Sequence, residues 1–207
     1  MDYTFIQKIE QRLQIGLPGK DAQYQMAHFA RQSYQATPVS AKQAGVLVLF
    51  YPKNTEWHLV LIERTSHNPN DQHKGQISFP GGRYEKADQN LEYTALREAE
   101  EEVGVDPEKV KILGKLTELY IDVSNFNVNP YVGFTEQKPV FRPQIDEVAS
   151  ILEVPFSDFQ QSAARQMTDL RITPQITLRK VPFFDIQNKV IWGATAMMIS
   201  ELLAVVD

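Results

Sequence analysis

Residues Ala95–Val105, ALREAEEEVGV, decide how the rest of this chain reads. Placed on a helix, Leu96, Ala99 and Val103 share one face by the three-and-four rule, and that face is apolar. Glu98, Glu101 and Glu102 are also three and four apart and share a different face, with Glu100 beside them. Like charges at this spacing repel by roughly 0.2–0.5 kcal/mol per pair, so the helix gains nothing for itself from such a patch. Two readings follow. The acidic face is a solvated surface, the usual fate of a charge run, or it is a set of hard oxygen ligands for Mg²⁺ or Mn²⁺, which are held by one or two carboxylates together with substrate phosphates.

The neighbouring sequence favours the second reading. Phe79-Pro80-Gly81-Gly82 is a glycine turn a short loop upstream, and glycines let backbone approach a ligand closely. Arg97 stands four residues before Glu101 and can steady that carboxylate by pairing. The helix is expected over Leu91–Val103, capped by Asn90 or Asp88 and stopped by Gly104, which suits a left-handed position. A turn, a loop and a carboxylate-lined helix can together cradle a metal-bound diphosphate.

Further out, Phe5, Ile6, Ile9 and Leu13 recur at helical spacing, and Gly16-Leu17-Pro18-Gly19 ends that helix. A second helix is expected over Ala22–Gln32. Ala44–Tyr51 and Trp57–Glu63 read as buried strands joined by turn residues Pro52-Lys53-Asn54, and Thr65–Lys74 as an exposed polar loop. Short strands are expected at Gln76–Phe79, Val110–Ile121, Asn127–Phe134, Ile176–Phe184 and Val190–Trp192. Phe156–Arg165 and Gly193–Val206 read as helices, while Val148–Val154 is open between the two states. Trp192 and the Met197-Met198 pair read as core. Helices interleaved with strands indicate a layered α/β domain.

Composition narrows the function. The 207 residues carry 21 Lys+Arg against 26 Asp+Glu, a formal net charge of -5. That balance disfavours nucleic-acid binding, which draws on clustered positive charge. With no cysteine there is no disulfide, thiolate metal site or cysteine nucleophile. No stretch approaches the ~20 apolar residues of a membrane span, and the first residues lack a signal-peptide core. The expected compartment is the cytoplasm.

At the motif level the chain resembles the Nudix hydrolases. Their pattern is a glycine, a spacer, an acid, a further spacer, then Arg-Glu-apolar-x-Glu-Glu-x-Gly-apolar. The second half stands here as Arg97–Val105, and the first as Gly82 and Asp88, with Asp for the usual Glu and one extra residue before Arg97. The longer form is similar to the coenzyme A pyrophosphatase branch, as is His73-Lys74-Gly75-Gln76-Ile77-Ser78-Phe79-Pro80-Gly81-Gly82. Leu17-Pro18-Gly19, Thr94–Ala99 and Ile191–Ala196 look like that branch too, whereas Thr65–Gln72 departs from its wording.

The resemblance implies an α/β/α sandwich with a mixed sheet over residues 36–207, and residues 1–35 as a helical extension packed on it. It implies an enzyme that hydrolyses the diphosphate of coenzyme A or its derivatives, with Mg²⁺ or Mn²⁺ as cofactor. Glu98, Glu101, Glu102 and Gly82 would be the metal ligands. Glu101 is the first candidate for the base and Glu147 the second, with Arg97 counted among the catalytic residues. Arg64, His73, Lys74, Gln76 and Arg83 are the candidates for holding substrate. Hydrolysis of ADP-ribose or NADH, and a non-catalytic ligand-binding module, stay open as alternatives. The partner implied is a small diphosphate, neither nucleic acid nor membrane; a homodimer is left open.

Overall fold

In the computed structural model, the residues described are 2–31, 36–65, 75–173 and 175–207. His73 and Lys74, and most of the polar loop expected around them, lie outside that set.

Helix α1 (Thr4–Ile15) and the shorter α2 (Gly19–Tyr24) open the chain, followed by a 3-10 turn at Phe29–Arg31. Strands β1 (Lys42–Lys53) and β2 (Glu56–Arg64) form a hairpin through Asn54 and Thr55, both at positive φ. This places the turn one step later than the Pro52-Lys53-Asn54 reading, in the backbone twist that two-residue hairpins favour. Then come β3 (Ile77–Ser78), β4 (Gly81–Arg83), α3 (Leu91–Val103), β5 (Lys111–Lys115), β6 (Leu119–Ile121) and β7 (Phe126–Phe134). The second half holds β8 (Val148–Pro155), α4 (Phe156–Gln160), β9 (Arg165–Arg171), β10 (Thr177–Ile186), β11 (Lys189–Trp192) and α5 (Gly193–Val206).

Strand β1 is the hub of an eight-stranded mixed sheet. It pairs antiparallel with β2 and β4 and parallel with β7. Strands β3 and β8 add to β2, and β5 and β6 add to β7. A separate three-stranded antiparallel sheet runs β11-β10-β9.

Both faces of the large sheet are covered, and the alternation within strands shows it. In β1, Val48 and Phe50 join one apolar cluster with Ile6 and Ile9 of α1 and most of α5. The intervening Leu47, Leu49 and Tyr51 join a second cluster with Ala95, Ala99 and Val103 of α3. Leu59 and Leu61 of β2 go with the first, Val60 and Ile62 with the second. A strand buried on both faces reads as a continuous hydrophobic run, as AGVLVLFY does. The layering is therefore α/β/α with a mixed sheet. Among the described residues no helix is long and apolar enough to cross a membrane.

Several elements differ from the sequence reading, β4 and β9 among them, since neither was expected as a strand. The second helix stops at Tyr24, well before Gln32. Val110–Ile121 is two strands, interrupted at Leu116–Glu118, where the Thr117 N–H and hydroxyl turn to the Glu201 carboxylate. Phe156–Arg165 is helical only to Gln160, with a 3-10 turn and then the start of β9.

Candidate active site

Helix α3 is fixed at both ends and along its length. The Asn90 side chain accepts the Tyr93 N–H at 2.8 Å, so Asn90 is the cap. Asp88, the other capping candidate, is buried; it takes the Arg97 Nε–H at 2.8 Å and the Thr94 hydroxyl at 2.8 Å. Gly104 ends the helix in the left-handed conformation, as expected. Against the sheet, Gly45 of β1 lets α3 come close, because a Cβ there would lie 2.3 Å from the Leu91 carbonyl oxygen.

Held this way, the helix presents Glu98 and Glu102 to a cavity of about 540 Å³ that Gly81, Gly82, Arg64 and Arg83 also line. Glu147 faces the same cavity from the loop before β8. That loop is pinned to the end of α3: Arg142 N–H donates to the Val103 carbonyl and Gln144 N–H to the Glu102 carbonyl, both at 2.9 Å. The Glu147 carbonyl in turn accepts the Thr65 N–H at 2.8 Å.

Two glycines that the sequence reads as a turn lie at the start of β4 and shape the carboxylates. The Gly81 N–H donates to Glu102 Oε2 at 2.8 Å, and Arg64 Nη1 stands 3.5 Å from Oε1. At Gly82 a Cβ would lie 2.5 Å from both Glu98 carboxylate oxygens, so a glycine is needed for Glu98 to occupy this place. Arg97 gathers three acids, reaching Asp88 at 2.8 Å, Glu98 at 3.0 Å and Glu101 at 3.1 Å.

The electrostatics follow from burial. Glu102 is 1% exposed, and desolvation pushes its carboxyl up to about 7, with Glu98 and Glu147 adding to the rise against the Gly81 N–H and Arg64. Glu98 is also raised, first by desolvation and partly by Glu101 and Glu147. Asp88 goes the other way: the hydrogen bonds from Arg97 hold it well below the usual carboxylate range.

Several candidate residues thus meet in one place: Glu98, Glu102, Glu147, Arg64, Gln76, Arg83 and Gly82 all line the cavity. Glu101 is not among the described lining residues; its side chain is 57% exposed and pairs with Arg97. Arg97 likewise acts on the carboxylates from behind. Trp192 and Met198, read from the sequence as core, line the cavity while also packing at the start of α5. Ser78 was not foreseen: its hydroxyl oxygen is buried without a partner among the described residues, and its residue lines the cavity. Only its place in the Gly75–Gly82 stretch pointed to it.

Among the described residues no three His, Asp or Glu groups already converge as a metal cage; Glu98 and Glu102 are engaged by Arg97, Arg64 and the Gly81 N–H. Their chemistry nonetheless fits a hard divalent cation. Two carboxylates lie one helical turn apart, a third faces them across the cavity, and their mutual repulsion helps raise Glu98 and Glu102. A bound dication relieves that repulsion.

Comparison with known proteins bears on this geometry. A family model described as the NUDIX domain matches residues 41–175. The Pectobacterium atrosepticum protein called "Uncharacterized Nudix hydrolase NudL" is 37% identical over 163 residues, 78% of this chain and 81% of its own length. A Yersinia pestis protein of the same name is 32% identical over 200 residues, 96% of this chain and 93% of its own. Among solved structures, a MutT/nudix family protein from Enterococcus faecalis matches with a TM-score of 0.48 at 14% identity, covering 90% of this chain and 71% of that one. The NUDIX domain of Shewanella oneidensis NrtR, complexed with ADP ribose, matches with a TM-score of 0.47 at 19% identity over 64% of this chain and 84% of that one.

Proposed function

The chain belongs to the Nudix hydrolase family, and from that premise we propose that it hydrolyses the diphosphate of coenzyme A or its derivatives. The products are 4′-phosphopantetheine and adenosine 3′,5′-bisphosphate. One observation carries the reading: a carboxylate pair on α3, Glu98 and Glu102, opens with Glu147 into the cavity that Arg64 and Arg83 line. The coenzyme A assignment adds the His73–Gly82 stretch, whose Gln76, Ser78, Gly81 and Gly82 line that cavity. The setting is cytoplasmic, with a small molecule as partner.

In hydrolysis a water oxygen bonds to one phosphorus as the bridging P–O bond breaks and the base takes the water proton, so that each product keeps one phosphate of the former diphosphate. Mg²⁺ or Mn²⁺, when bound, neutralises the phosphate oxygens and lowers the pKa of water. Glu98 and Glu102 would hold the cation, and the Gly82 backbone and Glu101 would be the further ligands that the family pattern implies, Glu101 only on release from Arg97. Glu147 is the better-placed base, because it faces the cavity while Glu101 is engaged by Arg97. Arg97 is a positioning residue, orienting Glu98 through the buried Asp88 anchor. Arg64, Arg83, Gln76, His73 and Lys74 bind the substrate, whose phosphates meet the cations. As in other phosphoryl transfers, positioning and charge stabilisation dominate.

The test is turnover with Mg²⁺ or Mn²⁺ across coenzyme A, ADP-ribose and NADH. Preference for coenzyme A is expected. Preference for ADP-ribose or NADH, or ligand binding without turnover, would overturn the proposal.

A further inference from the structure

The carboxylate-lined cavity runs into a second one, of about 300 Å³. Arg31, Gln76, Ile121, Val123, Trp192 and Gly193 line both, so the two are successive parts of one cleft with these residues at its neck. At that neck Arg31 and Trp192 carry side chains whose bonding and packing the described residues do not complete.

Arg31 ends the 3-10 turn and is half-buried. Its Nη2 donates to the Tyr120 carbonyl. Asp122 acts on it by charge, without a hydrogen bond, and burial outweighs that effect, holding its pKa below the ordinary arginine value. A guanidinium has further N–H donors on Nε and Nη1. These are not sealed off, because the buried, unpartnered side-chain nitrogen and oxygen atoms among the described residues belong to Gln23, Ser78 and Asn127. The spare donors of Arg31 therefore reach accessible space, and the space it lines is the cleft. A partly desolvated guanidinium with donors to spare is a seat for an anion.

Trp192 ends β11 and is also half-buried. Its neighbour Ile191 lies in the first apolar cluster, so strand alternation turns Trp192 to the other face of the small sheet. That face is shared by its cross-strand partner Phe183 and by Val181, which lines the cleft. Among the described residues Trp192 belongs to neither apolar cluster and makes no ring contact. An indole with an open flank in a cleft is a platform on which a planar base stacks.

We propose that this neck is the subsite for the nucleoside end of the substrate, where Trp192 stacks on the purine and Arg31 holds a phosphate on the ribose 3′ position. The assignment deepens the coenzyme A reading and rests on it, since coenzyme A carries a 3′-phosphate that ADP-ribose and NADH lack. The two phosphate groups of the substrate then meet different cations: the reacting diphosphate meets Arg64 and Arg83 beside the carboxylates, and the 3′-phosphate meets Arg31.

The experiment compares kcat/KM for coenzyme A and dephospho-coenzyme A, which differ only in the 3′-phosphate, in the wild type, Arg31→Gln and Trp192→Leu. The wild type should prefer coenzyme A at least tenfold, mainly through KM, the scale of one charge-assisted hydrogen bond. Arg31→Gln should bring the two substrates to within about twofold of each other, and Arg31→Lys should recover part of the preference. Trp192→Leu should weaken both substrates by about fivefold or more while their ratio holds. Calorimetric titration of the wild type with adenosine 3′,5′-bisphosphate and with AMP reads the same contrast without turnover and without a variant; at least tenfold tighter binding of the bisphosphate is expected. Equal losses for both substrates in Arg31→Gln, or equal binding of the two nucleotides by the wild type, overturn the 3′-phosphate assignment. An unchanged KM for both substrates in Trp192→Leu overturns the purine platform. Either result leaves the coenzyme A reading standing. A wild type that cleaves neither substrate overturns that reading, and the nucleotide titration then decides the subsite on its own.

Discussion

Glu102 and Glu100 sit two residues apart on α3 and have opposite surroundings. Glu102 is buried against the Gly81 N–H and Arg64, whereas Glu100 is exposed to solvent. Glu102→Gln keeps an acceptor for Gly81 and a similar volume, so it should fold. It removes the charge that a cation needs, and steady-state turnover should drop by about a hundredfold or more, the scale for losing one electrostatic stabiliser. Glu100→Gln should stay within about twofold, since it adds nothing at the reacting centre. Equal, near-normal rates for both would contradict the assignment. The contrast between these two was legible in the sequence, because residue spacing alone separates the faces of a helix. That Arg64 would pair with Glu102 was not, because residues so far apart in the sequence are brought together only by tertiary packing.

Helix α3 as an element depends on Asp88. Its carboxylate holds Arg97 from the loop between β4 and α3, and Arg97 holds Glu98 and Glu101. Asp88 has a folded pKa depressed below its ordinary value of 3.8, mainly by Arg97. Its contribution to stability is therefore present above about pH 4 and is lost as pH falls through the depressed folded value. Asp88→Asn removes one of the three carboxylate partners of Arg97, its charge-assisted hydrogen bonds included, and should cost about 1.5–3 kcal/mol at pH 7. In urea unfolding, the gap to wild type should narrow as the pH is taken below about 4; a gap constant from pH 7 to pH 3 would contradict this role. The bounds of α3 were legible because caps and stop signals are local, with Asn90 before it and Gly104 after it. Strand β9 was not, because Arg165–Arg171 is a largely exposed stretch, paired only with β10 on one side, and carries no apolar alternation.

At the scale of the whole molecule, the cleft depends on how the chain's beginning meets its end. Glu201, fully buried in α5, accepts hydrogen bonds from Gly19 N–H, Gln23 Nε2, Thr117 N–H and the Thr117 hydroxyl. One carboxylate thus joins α2, the β5–β6 connection and α5. A glutamine at this position turns an NH₂ toward donors, so Glu201→Gln should lose about 2–3 kcal/mol of unfolding free energy. An unchanged urea midpoint would contradict this. The layering of helices on both faces of a mixed sheet was legible from the buried run in β1 and from the motif. The walls of the cleft were not: Gln23, Arg31, Ser78 and Trp192 are scattered along the chain, and no local pattern marks side chains that only tertiary packing brings together.

Manganese titration into the wild type and the Glu98→Gln/Glu102→Gln variant, each with a non-cleavable coenzyme A analogue present, tests the whole account most directly. Saturable uptake by the wild type, weakened at least tenfold in the variant, is the predicted result. No uptake by the wild type, or equal uptake by both, would contradict it.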